Sequence, residues 1–417
     1  MGCSKNNFIN RITGSSALAA LRHRNFRLFY FGQMISVIGF WVQNVAQAWV
    51  VLELTNSPFL LGLVTFVQFL PNLFFSLVAG VFADRFSRRT LIVGTQTGFM
   101  VLAFLLTVLS GSHVLRYWHI VSISSLMGIL HAVDIPARQA FLVEMVGREN
   151  LSNAIALNSS MFNAARVLGP ALGGIVLARY GATTCFLLNA VSYLFVILGL
   201  VAMTIEKRLI VTQKKDMLGQ IKDGMNYIKM TPSVLIPMAL LAAVSVSAMN
   251  FGVLVPVFAR NVLGQGPEGF GVLVSSLGIG SLTGAIVLVL FSNHGNQTKF
   301  LWAGAVGLSL FQILLGQMQW YWPSAVLLMG AGWSMVSLSA SVNSIIQMQV
   351  PDELRGRVMS VYSLSFIGLA SVGGMLAGAV ARWFGATAAF TAGGSLALLA
   401  TLWLARRWRL AKCSYGN

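Results

Sequence analysis

Long apolar runs separated by short polar loops dominate the chain. Runs of about twenty apolar residues, the length that an α-helix needs to cross a bilayer, recur along both halves. The pattern predicts twelve transmembrane helices, at 27–52, 59–82, 90–110, 115–136, 153–178, 182–204, 234–258, 269–291, 299–318, 322–346, 358–381 and 386–405. We therefore expect an all-α polytopic membrane protein made of two six-helix bundles.

The longest polar interval, Glu206 to Thr231, separates the two sets of six spans. Its amphipathic middle suits either a helix lying on the membrane surface or a solvated linker. We predict a cytoplasmic N-terminal arm, a first bundle, a cytoplasmic linker, a second bundle and a basic cytoplasmic tail, at 1–25, 26–205, 206–232, 233–405 and 406–417.

Composition supports this class of protein. Hydrophobic residues make up 56% of the chain and charged residues 9%, with mean hydropathy +0.77, whereas soluble domains carry roughly a quarter charged residues. Most of the 28 lysines and arginines fall on the side of the membrane that holds both termini. The positive-inside rule then places both termini in the cytoplasm, and it makes the net charge of +17 an insertion signal with no need for nucleic acid as a partner.

No enzyme motif is present in the sequence. The three cysteines lack metal-binding or paired spacing, and no phosphate-binding G-x-x-x-x-G-K-[ST] occurs. We expect a protein that is not an enzyme, has no cofactor or metal, and does not draw its energy from ATP.

An internal repeat with an offset of about half the chain supports the division into six plus six. Two homologous halves in parallel orientation are typical of transporters that rock about a central substrate site. The matched features are Gly181 with Gly385, Gly169 with Gly373, Gly174 with Gly378, and Val146-Gly147-Arg148-Glu149 with Val350-Pro351-Asp352-Glu353.

Several motifs carry a family resemblance. The stretch Gly80-x-x-x-Asp84-Arg85-x-Ser87-Arg88-Arg89 resembles the loop 2–3 signature of the major facilitator superfamily, with serine in place of its second glycine. Gly169-Pro170-Ala171-Leu172-Gly173-Gly174 resembles the fifth-helix signature of efflux antiporters in that superfamily. The whole chain resembles the enterobactin-exporter-like branch. This resemblance implies a twelve-helix transporter of the bacterial inner membrane, often proton-coupled, that exports siderophores or other amphipathic molecules.

The charged turn after the second span is a candidate cytoplasmic gate. Asp84 can accept hydrogen bonds at a helix N-terminus, while the arginines can neutralise acids across the interface between the halves. We expect its partner near the start of the eleventh span. A plain positive-inside anchor is the alternative. The predicted gate comprises Gly80, Asp84, Arg85, Arg88, Arg89, Asp352, Glu353, Arg355 and Arg357.

Ionisable residues inside the spans are the next candidates, because a charge at mid-bilayer costs about 2.5–3.5 kcal/mol even on the insertion scale. Arg166 shares a helix face with Asn163 and could bind an anionic substrate or pair permanently with an acid. Asp134, with His131 one turn away, could couple protonation to conformation, or could be a static partner of Arg166 or Arg138.

Neutral polar and aromatic residues within the spans outline a substrate cavity, although any one of them could instead hold helices together. Their mixture fits an amphipathic ligand better than a small ion. The candidates besides Arg166 and Asn163 are Trp41, Gln43, Asn44, Gln47, Asn72, Asn250, Asn343 and Gln347.

The sequence thus predicts a monomeric secondary active exporter of a siderophore-like small molecule, working by alternating access and proton antiport. Its partners would be the substrate, protons and the lipid bilayer. Broad multidrug or macrolide efflux is the alternative among transporters. A substrate-sensing receptor or passive facilitator on the same fold is the alternative of another class.

Overall fold

The computed structural model describes residues 19–83, 87–147, 149–203, 217–291 and 296–415, with no side-chain description at 72–83, 217–223, 352–353, 367 and 411–415. All regular elements in these ranges are helical. They are α1 Arg24–Thr55, α2 Pro58–Ala83, α3 Arg88–Gly111, α4 Tyr117–Val146, α5 Leu151–Val201, α6 Met217–Met230, α7 Pro232–Ala248, α8 Phe251–Asn261, α9 Pro267–Phe291, α10 Gln297–Leu315, α11 Tyr321–Gln349, α12 Asp352–Ser363 and α13 Leu369–Tyr415. A 3₁₀ turn, Ala19–Arg22, precedes α1, and a π-helical turn, Leu364–Gly368, joins α12 to α13.

Helices α5 and α13 are each two helices joined at a glycine. Gly181 has φ 78° and ψ 174°, and Gly385 has φ 84° and ψ 164°, a region of backbone conformation that is essentially restricted to glycine. The chain reverses at Gly181, because Cys185 Sγ lies 4.0 Å from the carbonyl oxygen of Gly173, whereas twelve residues of straight helix span about 18 Å. The two matched glycines of the predicted repeat therefore adopt the same conformation.

Nine helical stretches of the described chain are long and apolar enough to cross a membrane. Two of them, which contain Gly181 and Gly385, each hold two predicted spans, and α2 adds a further apolar helix. This arrangement is consistent with twelve spans and has the all-α polytopic architecture expected from the sequence.

The seventh predicted span, 234–258, lies within a stretch long and apolar enough to cross a membrane, Pro232–Asn261, but the helix is interrupted inside it. Helix α7 ends at Ala248 and α8 begins at Phe251. Asn250 explains how the break is tolerated in an apolar layer, since its amide donates to the carbonyls of Val246 (3.1 Å) and Ser247 (3.2 Å) that the interrupted helix leaves unpaired. Broken helices occur at membrane depth where they line a cavity, and this break does so.

Glycine contacts show how the two halves repeat one arrangement. A side chain on Gly169 would collide with Trp41 on α1, and one on Gly373 would collide with the carbonyl of Val246 on α7. Tyr117 and Tyr321 provide a further equivalent pair. The Tyr117 hydroxyl donates to the carbonyl of Leu60 and the Tyr321 hydroxyl to that of Gly269, each at 3.1 Å. These pairs are what a parallel pseudo-twofold axis between the halves requires.

Candidate functional site: a cavity between the two halves

The two halves meet tightly at one end of the molecule, through α5 against α9 and α2 against α13. A Cβ on Gly174 would lie 2.7 Å from the carbonyl oxygen of Pro267, and a Cβ on Gly378 would lie 2.5 Å from that of Pro58. Only helices with small residues at the crossing can approach so closely. Arg260 also donates to the carbonyl of Leu52 across the halves, at 2.7 Å. We call this region the closed end.

A cavity of about 430 Å³ lies between the halves next to the closed end. Residues of α1, α2 and α5 line one side, and residues of α8, α9 and α11, together with Met249 at the break between α7 and α8, line the other. Trp49 and Phe270 stack across the halves, with ring centroids 6.0 Å apart, and Phe270 also lines the cavity. We call it the central cavity.

Polarity divides the central cavity in two. The polar lining side chains come from the N-terminal half: Asn44, Gln47, Thr65, Gln68 and Arg166. The C-terminal half contributes apolar side chains and glycines, among them Met249, Phe251, Phe270, Leu277 and Met335. The cavity therefore offers hydrogen bonds on one wall and dispersion contacts on the facing wall.

Arg166 is the cation of the central cavity. Its guanidinium carbon lies 5.9 Å from the ring centroid of Trp41, within the range of a cation–π interaction. Helix α9 fixes its backbone, since a Cβ on Gly278 would lie 2.7 Å from the Arg166 carbonyl oxygen. Across the described ranges no carboxylate forms an ion pair with Arg166. The permanent acid partner that the sequence left open is thus missing from the described part of the chain.

The other cavity residues predicted from the sequence are distributed over several environments. Trp41, Asn44 and Gln47 line the central cavity, and Gln47 also donates to the hydroxyl of Ser124 at 3.1 Å. Gln43 faces the interior of the N-terminal half, where its amide oxygen accepts from Asn189 at 2.7 Å.

Further candidates have local partners. Asn163 donates to the carbonyl of Ser159 at 2.9 Å, Asn250 caps the break between α7 and α8, and Asn343 accepts from Gln347 one turn later. The side chain of Asn72 lies outside the described residues. In the fifth-helix signature, Gly173 packs on Val42 of α1, and the carbonyl of Pro170 lies against Gly271 of α9.

Asp134 lies in a buried network inside the N-terminal half. Its carboxylate pairs with Arg138 Nε at 2.5 Å and accepts from the Thr95 hydroxyl at 2.7 Å and the Gln96 amide at 3.0 Å. His131 lies beside Phe99, with ring centroids 4.5 Å apart. This is the static partnership with Arg138 that the sequence allowed, and a role in proton coupling stays a prediction.

Arg138 also lines a second cavity of about 490 Å³, formed by α1, α4 and α5 farther from the closed end. Gln33 lines the same space. It is buried, and its amide oxygen has no hydrogen-bond partner within the described chain. The Asp134–Arg138 pair therefore borders a space that reaches toward the end opposite the closed end.

The described part of the predicted gate makes contacts inside its own half. Arg88 pairs with Glu144 at 2.7 Å, and Arg89 donates to the carbonyl of Val201 at 2.9 Å. Asp84 and Arg85 lie outside the described residues, as do the side chains of Asp352 and Glu353, and of Gly80 only the helical backbone is described.

On the other side of the predicted gate, α6 packs against α12. A Cβ on Gly224 would lie 3.1 Å from Arg357, and the Tyr227 hydroxyl donates to the carbonyl of Gln349 at 3.1 Å. Arg355, like Arg357, is described and has an interaction partner. The contact between the charged turn and the start of the eleventh span stays a prediction.

Sequence reasoning missed two parts of the site. The apolar wall of the central cavity carries no signal in an apolar sequence, because lipid-facing and cavity-facing residues look alike there. Thr95, in contrast, had a usable signal, because its hydroxyl adjoins the Gln96 amide on a helix next to Asp134, the intramembrane acid that the sequence singles out.

Comparisons with known proteins, by sequence and by fold, both match the chain to membrane transporters. Residues 15–416 match the family described as transmembrane secretion effector, of the major facilitator type. The chain is 27% identical to the staphyloferrin A transporter of Staphylococcus aureus over 266 residues, which are 63% of this chain and 66% of that one. It is 24% identical to the enterobactin exporter EntS of Shigella boydii, over 89% of each chain.

The multidrug efflux pump Tap of Mycolicibacterium fortuitum is also 24% identical, over 88% of this chain and 91% of its own. Among solved structures, a bacterial homologue of the lysosomal transporter Spinster superposes with a TM-score of 0.71 at 13% identity, covering 92% of this chain and 95% of that chain. The chain thus shares its fold even with transporters whose sequences have little similarity to its own.

Proposed function

Since the chain belongs to the transmembrane secretion effector family of the major facilitator superfamily, we propose that it is a secondary active exporter of an amphipathic, siderophore-like small molecule. Membership of this family makes the protein a multi-pass membrane transporter and not an enzyme. The substrate class, the direction of transport and the proton coupling are our proposals, as are a monomeric state, a bacterial inner-membrane location and cytoplasmic termini.

The observation that carries the proposal is the central cavity, which lies between two halves that touch at one end. Alternating access requires a site that both halves line and a contact that can separate. The backbone-to-backbone contacts of Gly174 and Gly378 are such contacts, because they hold the closed end by non-covalent packing, beside the hydrogen bond from Arg260 and the exposed Arg179–Glu268 pair at 4.0 Å. With the termini inside, the closed end faces away from the cytoplasm and substrate enters from the cytoplasmic side.

Proton antiport would use Asp134. Protonation removes the charge that holds Arg138, which lines the second cavity. A loosened Arg138 changes the contacts among α3, α4 and α1, and His131 is one turn away to relay the proton. In Asp134→Asn we expect transport that no longer responds to the pH gradient. Transport that keeps its full pH-gradient dependence would remove Asp134 from coupling.

Reconstituted proteoliposomes test the function as a whole. The expected result is concentrative transport of an amphipathic substrate that collapses when a protonophore is added. Binding without net transport would instead support a receptor, and transport that only equilibrates concentrations would support a passive facilitator. Substrates can be found by comparing metabolites in the medium of wild-type and deletion cells grown with and without iron.

Broad multidrug or macrolide efflux is favoured by one feature, the apolar wall of the central cavity, which makes no directional contacts. A pump of this kind accepts unrelated apolar compounds. A deletion strain that becomes sensitive to several unrelated drugs would support it, whereas unchanged drug susceptibility together with loss of one secreted compound supports a dedicated exporter.

A further inference from the structure

From the divided lining of the central cavity, we propose that the substrate is an amphipathic anion bound in one orientation. Its anionic group lies on Arg166 in the N-terminal half, and its apolar body lies against the C-terminal half. This inference rests on the proposed function, because it names the class of molecule that the exporter would carry.

The first step is the charge balance around Arg166. The chain has only 11 acidic residues, and the described ones near or within spans already have partners. Asp134 is held by Arg138, Glu144 by Arg88, and Glu268 lies 4.0 Å from Arg179. Glu53 accepts from the indole of Trp49 at 2.7 Å. Arg166 is therefore a membrane-embedded cation whose counter-charge is not supplied by the described chain.

The second step is the surroundings of Arg166. Its guanidinium presents a planar set of donors that matches a carboxylate, phosphate or similar oxyanion. Trp41 covers it with a ring face, and the amides of Asn44 and Gln47 line the same wall. An anion bound here gains a cation in a polar wall, and the cavity contributes no carboxylate among its described lining residues to repel it.

The third step is the facing wall. Met249, Phe251, Phe270, Leu277 and Met335 present thioether, aromatic and aliphatic surface. These groups favour contact with the apolar part of a ligand. They carry no hydrogen-bond donor that could replace the water around an anion. A ligand with both properties is therefore held with its charge on one half and its body on the other. When the halves move apart, the anion is expected to stay with the N-terminal half.

The test compares two probes that differ only in charge, naphthalene-1-acetate and naphthalene-1-acetamide, binding to the full-length protein in lipid nanodiscs by calorimetry at neutral pH. We expect the carboxylate to bind at least about tenfold more tightly than the amide, the difference that one charge-assisted hydrogen bond provides. In Arg166→Gln the ratio of the two affinities should fall to near one, while amide binding is retained and shows that the site is folded.

Two further variants test the contribution of the apolar wall and the specificity of the Arg166 effect. Phe251→Ala should weaken both probes by the same factor and leave their ratio unchanged. Arg406→Gln, which removes an exposed arginine outside the cavity, should change neither affinity nor ratio. A wild-type ratio near one, or a high ratio that survives Arg166→Gln, would overturn the proposal.

The anion-site proposal and the proposed function can fail independently of each other. A charge-dependent ratio in a protein that never transports would uphold the anion site and reject the exporter. Efflux of neutral compounds with no preference for the acetate probe would uphold the exporter and reject the anion site.

Discussion

Replacing Gly174 with alanine should shift the protein away from the conformation with the closed end shut. The new Cβ would lie 2.7 Å from the carbonyl oxygen of Pro267 and 2.9 Å from Cα of Gly271. Ordinary contacts between such atoms are about 3.5–4.0 Å, so α5 and α9 must separate by roughly an ångström. Both neighbours are backbone atoms of helices, which cannot move aside as a flexible side chain would.

The size of the effect follows from the cost of overpacking, about 1–3 kcal/mol. A central value of about 2 kcal/mol corresponds to a roughly thirtyfold change in the ratio of closed to open molecules. Alanine also favours the helix by about 1 kcal/mol over glycine, so thermal stability is a poor readout here. The distance between the halves is the direct one.

Spin labels at Ser112 and Trp320, on the two halves at the closed end, report that distance by electron–electron resonance in a background without native cysteines. Gly174→Ala should add a longer distance to the distribution, and Gly378→Ala should do the same through Pro58. Gly94→Ala is the matched control, because a Cβ there meets nothing within 4 Å. Identical distributions in all three variants would refute the idea that glycine packing holds this end closed.

Three further predictions concern the same scaffold. Asp134→Asn should destabilise the protein by about 1.5–3 kcal/mol, the range for a hydrogen bond to a charged group, by leaving the half-buried Arg138 without its counter-charge; thermal unfolding should show partial recovery in the double variant with Arg138→Gln, and no recovery would argue against the pair. Gly181→Ala and Gly385→Ala should each cost about 1–3 kcal/mol through backbone strain, measured as a lower midpoint of thermal unfolding; unchanged midpoints would contradict the left-handed turns. Arg260→Gln should raise the open population at the closed end by about fivefold, the loss of one hydrogen bond worth about 1 kcal/mol, and an unaltered distance distribution would show that this bond does not hold the halves.

The fold was largely predictable because a bilayer imposes a strong constraint on sequence. Apolar length sets each span, and Gly181 and Gly385 could be matched because a left-handed turn requires the same residue in both halves. The pair Tyr117-Trp118 and Tyr321-Trp322 lies at the same offset and would have extended the repeat. The break at Asn250 could not be foreseen, since hydropathy averages over a window longer than the two residues that interrupt the helix.

The site was predictable only in part. Arg166, Asn44 and Gln47 were identified because polar or charged groups are costly within a span, and Trp41 because an aromatic ring can stack on a ligand. The structure brings all four together in the central cavity. The same argument also selected Gln43, which satisfies its amide inside the N-terminal half. The rotation of a helix about its axis decides whether such a residue faces the cavity or the interior of its own half. A single apolar sequence gives little information about that rotation.

The glycine reversals in α5 and α13 have a consequence for biogenesis. No polar loop separates the two spans of either helix, and the residues around the turns, such as Tyr180 and Trp383, are exposed aromatics of the kind that settle at the membrane interface. Each pair of spans should therefore leave the translocon as a preformed helical hairpin. Substitutions at Gly181 or Gly385 should reduce the amount of protein inserted in the membrane before they affect its transport activity.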